Sequence, residues 1–242
     1  MNNPSDGKFP QTRWSLVLSA RELDSAMAVR ALSELCEVYW FPIYVYVRRR
    51  GYQAHDAEDL TQGFFASLIR RKAFANADSE RGKLRSYLLG CLKHFLSDEK
   101  AKADALKRGG QATIVSYDAL EAEQRYQMEP RDEVSPEVIY EKRWAATLLN
   151  NVTDRLRAEY EEAGKVAVFS ELQTFLTWGS DPGAQAEAAA KLGITGNAVR
   201  LTVLRMRKRY ALLVREVIAD TVSTPEEVEE EITYLFGTLR AG

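Results

Sequence analysis

The residues best suited to chemistry lie in a basic stretch near the carboxyl end of the chain. Residues 195–215 contain six Lys or Arg and no acid. In the major groove of DNA an arginine can pair with guanine and an asparagine with adenine, while other cations hold phosphates. This stretch therefore predicts a DNA-binding surface. Its candidate residues are Thr195, Asn197, Arg200, Arg205 and Lys208.

Charge is unevenly distributed along the chain. Of the 242 residues, 33 are Lys or Arg and 35 are Asp or Glu, which gives a net charge of -2. Residues 83–110 hold seven cations against three acids, residues 121–141 hold seven acids against two arginines, and residues 226–231 hold five acids. Two basic stretches separated by an acidic one indicate two nucleic-acid contacts. The mildly acidic total argues against a free-standing, nonspecific DNA binder.

Residues typical of catalysis or metal binding are few. The two histidines, His55 and His94, and the two cysteines, Cys36 and Cys91, form no nucleophile pair and no Cys-x-x-Cys motif. Three acids within residues 56–59 could begin a metal site, but no further ligand is placed to complete one. There is no glycine-rich phosphate loop. We therefore expect no enzymatic activity, no metal and no cofactor, and we expect the cysteines to be small buried residues.

The spacing of the apolar residues predicts helices throughout, so the expected fold class is all-α. Apolar side chains recur every three or four residues over 32–46, 60–69 and 84–95, which gives three helices in the first half. Pro42 is expected to bend the first of these. Helical spacing resumes at Pro136, a residue suited to a first helical turn.

Residues 185–209 are typical of a helix-turn-helix motif. The motif needs a small contact between two helices, a tight turn, apolar anchors and a cap on the second helix. These parts are supplied in order by Ala188 and Ala189, Gly193, Ile194 and Val199, and Thr195. The alternative is an ordinary helical hairpin with a basic, solvated face.

These patterns divide the chain into two small helical domains joined by a linker, the second containing the helix-turn-helix. The expected segments are an N-terminal extension (1–24), a first helical domain (25–110), an acidic linker (111–136), a second helical domain (137–221) and an acidic helical tail (222–242). No apolar run approaches the length of about 18 residues that a membrane span requires. The polar first ten residues lack the layout of a secretory signal, so a cytoplasmic location is expected.

Two consecutive segments of the first domain resemble region 2 of the extracytoplasmic-function (ECF) sigma factors. They are residues 38–51, VYWFPIYVYVRRRG, and residues 56–65, DAEDLTQGFF. In that family a third helix begins near an aromatic–Leu pair, here Tyr87-Leu88, and ends in an acid followed by basic residues. The helix-turn-helix resembles region 4. Gly63 and His94 depart from the pattern, because the family usually has an acid and an asparagine there.

The resemblance implies roles for individual residues. The helix over residues 56–71 would dock on the clamp of the largest polymerase subunit, where its acids would meet basic side chains. The third helix would hold melted promoter bases through aromatic and cationic groups. The acidic linker would thread through the polymerase. A solvated amphipathic helix and a solubilising basic face are the corresponding structural alternatives. The docking candidates are Asp56, Glu58, Asp59 and Gln62, and the candidates for melting are Tyr87, Lys93, His94, Lys100, Lys102, Lys107 and Arg108.

The sequence thus predicts a sigma factor that binds core RNA polymerase, recognises a two-part promoter and helps to melt it. The alternative is a helix-turn-helix transcriptional regulator that acts without docking on polymerase. One helix-turn-helix plus a separate basic helix suits asymmetric DNA better than the palindrome of a two-fold dimer. An inhibitory regulator is a further expected partner. The acidic tail either folds back on the helical domains or binds such a regulator.

Overall fold

The computed structural model describes residues 26–70, 83–106, 117–128, 134–176, 182–222 and 224–240, and within these ranges the chain is helical with no strand. The expected all-α class is therefore confirmed. The helices are α1 (Ala26–Arg49), α2 (Ala54–Arg70), α3 (Leu84–Leu106), α4 (Tyr117–Gln127), α5 (Pro136–Glu162), α6 (Val166–Leu172) with a 3-10 turn (Gln173–Leu176), α7 (Pro182–Leu192), α8 (Gly196–Ala219) and α9 (Pro225–Arg240).

The helix α1 is buried on all sides over residues 41–47. A helix that is apolar all round is stable only inside a core, and α2 packs directly against it. The helix runs through Pro42 without ending. It ends at the turn before Gly51, whose φ of 93° is a conformation that glycine adopts at little cost.

The described residues form two compact units. The first combines those up to Thr147 with those from Ala219 onward, and the second covers Leu148–Ile218. The boundary therefore falls inside α5, whereas the sequence placed it at the linker. The acidic tail helix α9 belongs to the first unit, and α4 lies within the segment expected as a linker.

The core of the first unit is rich in aromatic side chains. Phe64 of α2 contacts Phe95 of α3 edge-on, and Tyr46 of α1 contacts Tyr140 of α5 in the same way. Trp144 of α5 is fully buried. Such side chains bury a large apolar area each, so few of them suffice to fix several helices around α1.

The second unit is built on the later part of α5, with α6, α7 and α8. Its core contains Leu156, Phe169, Leu172 and Met206, and α6 packs against α7. The helix α5 ends at Glu162, and Gly164 in the turn that follows has a φ of 67°. None of the described helices in either unit combines the length and the apolar character needed to cross a membrane.

Candidate nucleic-acid interface

The turn between α7 and α8 has the local geometry that its sequence predicts. Gly193 adopts a φ of 63°, and the Ile194 amide donates to the Ala189 carbonyl at 3.1 Å, which closes the end of α7. The Thr195 hydroxyl accepts a hydrogen bond from the Ala198 amide at 3.2 Å, so Thr195 caps α8 as expected. A three-residue turn of this kind fixes the direction in which α8 leaves α7.

The inner face of α8 holds the helix in the second unit. Val199, Val203 and Met206 follow the spacing of one helical face and are buried, and Ala188 and Ala189 of α7 are buried as predicted. Ile194 was predicted as an anchor, and this prediction is wrong, because 38% of its surface is exposed. It lies in the turn, before the repeat that forms the inner face begins.

The outer face of α8 presents the predicted DNA-contact residues to solvent. Asn197, Arg200, Arg205 and Lys208 are all exposed, and Thr195 lies exposed at the start of the helix. Two further cations of this stretch are engaged within the unit. Arg207 Nε donates to the Phe175 carbonyl at 2.8 Å, and Arg209 pairs with Glu159 at 2.6 Å. The charge that faces outward is therefore smaller than the sequence count of six.

Three leucines that are not among the predicted contact residues share the outer face of α8. Leu201, Leu204 and Leu212 are each about half exposed. Their spacing of three and eight residues places them on the side of the helix that carries Lys208. An apolar side chain in the major groove can contact the methyl group of thymine, so leucine beside arginine is compatible with base reading.

The predicted docking residues of α2 divide into an exposed and a buried set. Asp59 and Gln62 are exposed, and Asp56 is half exposed with its carboxylate 3.1 Å from His55 Nε2. Glu58 is only 2% exposed, so the expectation that it lies on the polar face is wrong.

The burial of Glu58 follows from its position on the helix. It shares a side with Thr61 and Phe65, three and seven residues along, and both are buried. Its carboxylate accepts a hydrogen bond from Gln62 Nε2 at 3.1 Å. A carboxylate is expensive to bury without such partners. Glu58 is therefore a residue of the first unit's interior, and the exposed acids of α2 are Asp56 and Asp59.

The predicted base-melting residues of α3 differ in their surroundings. His94 and Lys100 are exposed. Lys93 pairs with Glu137 of α5 at 3.0 Å, and Lys102 pairs with Glu99 one turn away at 2.8 Å. Tyr87 is half buried and hydrogen-bonded to Cys91. Burial is the main cause that raises the pKa of its hydroxyl, and the bond to Cys91 raises it further. Lys107 and Arg108 lie outside the described residues.

Both cysteines are free thiols of intermediate exposure. Burial is the main cause that raises the pKa of each thiol, so both are protonated at neutral pH. The part of the chain that the structure describes also contains no group of three or more His, Cys, Asp or Glu side chains arranged to hold a metal ion.

The acidic helix α4 forms a contact that sequence reasoning missed. Glu123 accepts hydrogen bonds from the Tyr44 hydroxyl and from Arg48 Nε and Nη2, the last two at 2.9 and 2.8 Å. Arg125 lies over the Phe41 ring with its Cζ 3.9 Å from the centroid. Burial alone would raise the pKa of Glu123, but the bonds from Arg48 and Tyr44 outweigh it and hold the pKa below its usual value. No local pattern could predict this pairing, because the partners are 75 or more positions apart.

Comparisons with protein-family models, with curated proteins and with solved structures found no match to this chain.

Proposed function

We propose that this chain is a sigma-type transcription initiation factor, which binds core RNA polymerase, recognises promoter DNA and helps to melt it. The observation that carries the proposal is the outer face of α8. Asn197, Arg200, Arg205 and Lys208 are exposed together on one helix whose start is fixed by a capped, three-residue turn. In this proposal α7 and α8 are a helix-turn-helix, and α8 enters the major groove.

The first unit supplies the other half of the proposal. Asp56 and Asp59 of α2 present carboxylates to solvent, and α3 presents His94 and Lys100. An acidic surface suits a basic partner protein, and a helix with exposed imidazole and ammonium groups beside a half-buried tyrosine suits single-stranded DNA. The resemblance of residues 38–51 and 56–65 to sigma region 2 is the reason to propose polymerase as that partner. A cytoplasmic location follows from that role.

Promoter-dependent transcription with core polymerase tests the proposal directly. The full chain is mixed with core enzyme and a library of promoter fragments, and initiated transcripts are sequenced. We expect transcripts from a defined subset of promoters only when the chain is present, and a relaxed preference at one base pair with Arg200→Ala. Absence of selective initiation and of co-purification with core polymerase would overturn the proposal. Sequence-specific DNA binding without polymerase binding would instead favour a conventional helix-turn-helix regulator.

A further inference from the structure

The tail helix α9 inserts a buried carboxylate beside the start of α3. Glu231 is only 1% exposed, and its Oε1 accepts a hydrogen bond from Arg85 Nε at 2.6 Å. Its Oε2 accepts from Arg85 Nη2 at 3.3 Å and lies 2.8 Å from Lys83 Nζ. A carboxylate this deeply buried is tolerated only with paired cations, so its three contacts define one arrangement of α9 against α3.

Other groups complete the cluster around Arg85. Arg85 Nη1 contacts both carboxylate oxygens of Glu141 at 2.7 Å, and the Tyr140 hydroxyl donates to the Arg85 carbonyl at 3.1 Å. The Tyr234 ring of α9 lies 3.9 Å from Arg85 Cζ. The guanidinium is therefore held by two carboxylates and an aromatic face, which uses the fixed fork geometry that lysine lacks.

The main chain adds a further link between the tail and α3. The Leu84 amide, at the first residue of α3, donates to the Thr221 carbonyl at 3.4 Å. The amides of a first helical turn have no partner within their own helix. Thr221 and Val222 are themselves buried, as are Val228 and Leu235 of α9. The tail thus folds back on the first unit, which was one of the two alternatives that the sequence left open.

The contact lies on one side of α3, and the half-buried Tyr87 and the exposed His94 lie on the opposite side. At 100° per residue, Tyr87 and His94 lie about 200° and about 180° around the helix from Arg85. We propose that α9 positions α3, so that Glu231 is a positioning residue that fixes where the Tyr87 and His94 side meets the promoter. This inference rests on the proposed function. It gives the acidic tail a role in promoter melting without any contact with DNA.

The matched variants are Glu231→Gln, which removes the buried charge, and Glu230→Gln, which makes the same change at the adjacent exposed residue. Promoter opening is followed by permanganate reactivity of thymines, in complexes of each full chain with core polymerase. Two templates are used, one fully duplex and one with the melted region already mismatched. Binding of core polymerase and hydrogen exchange of the first turn of α3 are measured in parallel.

We expect Glu231→Gln to slow opening of the duplex by about tenfold or more, the factor that corresponds to loss of a hydrogen bond to a charged group. The mismatched template should restore its reactivity, because the unstacking cost is removed. Core binding should be unchanged, exchange at the start of α3 should be faster, and Glu230→Gln should match the wild type.

If Glu231→Gln opens the duplex at the wild-type rate, the inference is overturned. Equal loss of thymine reactivity on both templates would also overturn it. Either result would leave the proposed function standing. If the wild type itself neither binds core polymerase nor opens promoters, the proposed function fails and the inference falls with it.

If Glu231→Gln does not fold, Tyr234→Ala decides the question. It removes both the ring over Arg85 and the hydroxyl that bonds to Glu141, and should slow duplex opening only. Tyr234→Phe keeps the ring and loses the hydroxyl alone, so it should slow duplex opening less. Duplex opening at the wild-type rate by a folded Tyr234→Ala would contradict the positioning role.

Discussion

Arg209 and Glu159, 50 positions apart, form a two-pronged ion pair in which Arg209 Nη2 and Nε lie 2.6 and 2.9 Å from the Glu159 oxygens. The pair joins α8 to α5 within the second unit. Arg209 also contacts Glu216 at 3.1 Å. A cation that the sequence places in the basic stretch of α8 therefore serves the packing of that helix, whereas the predicted contact residues Arg200, Arg205 and Lys208 are exposed.

The Arg209–Glu159 pair predicts a pH-dependent stability. The hydrogen bond from Arg209 is the main cause that lowers the pKa of Glu159 from its ordinary value of 4.5. A carboxyl whose pKa is lower in the folded state stabilises the fold when the pH is above the ordinary pKa. This stability is lost as the pH falls through the pKa of the folded state. We expect Glu159→Gln to lower the free energy of unfolding near neutral pH by about 0.2–1 kcal/mol, the range for exposed pairs.

Urea unfolding of the wild type and of Glu159→Gln, near neutral pH and in acid below the carboxyl range, measures this effect. The difference between the two proteins should vanish in acid. Asp154→Asn is the control, since Asp154 pairs with Arg157 three residues along the same helix. A difference of the same size at both pH values would show that the pair acts through packing and not through charge.

Local signals in the sequence identify the fold class and the turn, but they do not identify long-range pairing. Gly193, Thr195 and Val199 are predictable because a turn glycine, a cap and a helical apolar repeat each act within a few residues. The burial of Glu58 and the pairing of Glu231 with Arg85 depend on which helices meet in space. For that reason the sequence does not distinguish Glu231, which lies in the interior, from the other acids of the tail.

The exposed acids of α2 give a test of polymerase docking. Reversing Asp56 and Asp59 to Lys should weaken binding to core polymerase, because like charges across an interface cost several kcal/mol. The matched control reverses Glu161 and Glu162, two exposed acids of the second unit, and changes the net charge equally. Binding is measured by titration of labelled chain with core enzyme. Unchanged binding by a folded Asp56/Asp59 double variant would place the docking surface elsewhere.

The contact of Glu123 with Arg48 predicts that α4 is protected in the free chain. Removing the charge with Glu123→Gln should weaken a hydrogen-bonded, partly buried ion pair, and the cost is about 1–3 kcal/mol. Trypsin cleavage after Arg125, which needs local opening of α4, should become faster by about fivefold or more. The control Gln124→Ala changes an exposed neighbour and should leave cleavage unaltered.

The same measurement in the presence of core polymerase tests whether the acidic segment threads through the polymerase, as the resemblance to sigma factors implies. If residues 111–136 pass through the polymerase, adding core enzyme should suppress cleavage after Arg125 in both the wild type and Glu123→Gln. Equal cleavage with and without polymerase would count against that path. Equal cleavage of the wild type and Glu123→Gln in the free chain would show that the Glu123 contact does not hold α4 in place.

The outer face of α8 predicts that base-reading and phosphate-binding residues behave differently. Arg200 follows the buried Val199 and is exposed, so its guanidinium can reach base edges when α8 lies in the major groove. Lys208 is about 12 Å further along the helix at 1.5 Å per residue, where the groove gives way to the backbone. Arg200→Ala should cost about 1–3 kcal/mol and relax the preference at one base pair. Lys208→Ala should weaken binding to all sequences alike and reduce the salt slope by about one unit.

Titration against single-base promoter variants at several salt concentrations separates these two outcomes. The control is Lys165→Ala, which removes an exposed cation outside α8. An even loss of affinity across the panel for Arg200→Ala would mean that Arg200 touches only phosphate. If neither Arg200→Ala nor Lys208→Ala changes binding or transcription, α7 and α8 form an ordinary helical hairpin. The exposed leucines then become informative, because Leu201 and Leu204 lie on the same face. Retained DNA affinity in both cation variants would make a protein, and not DNA, the better-suited partner for that face.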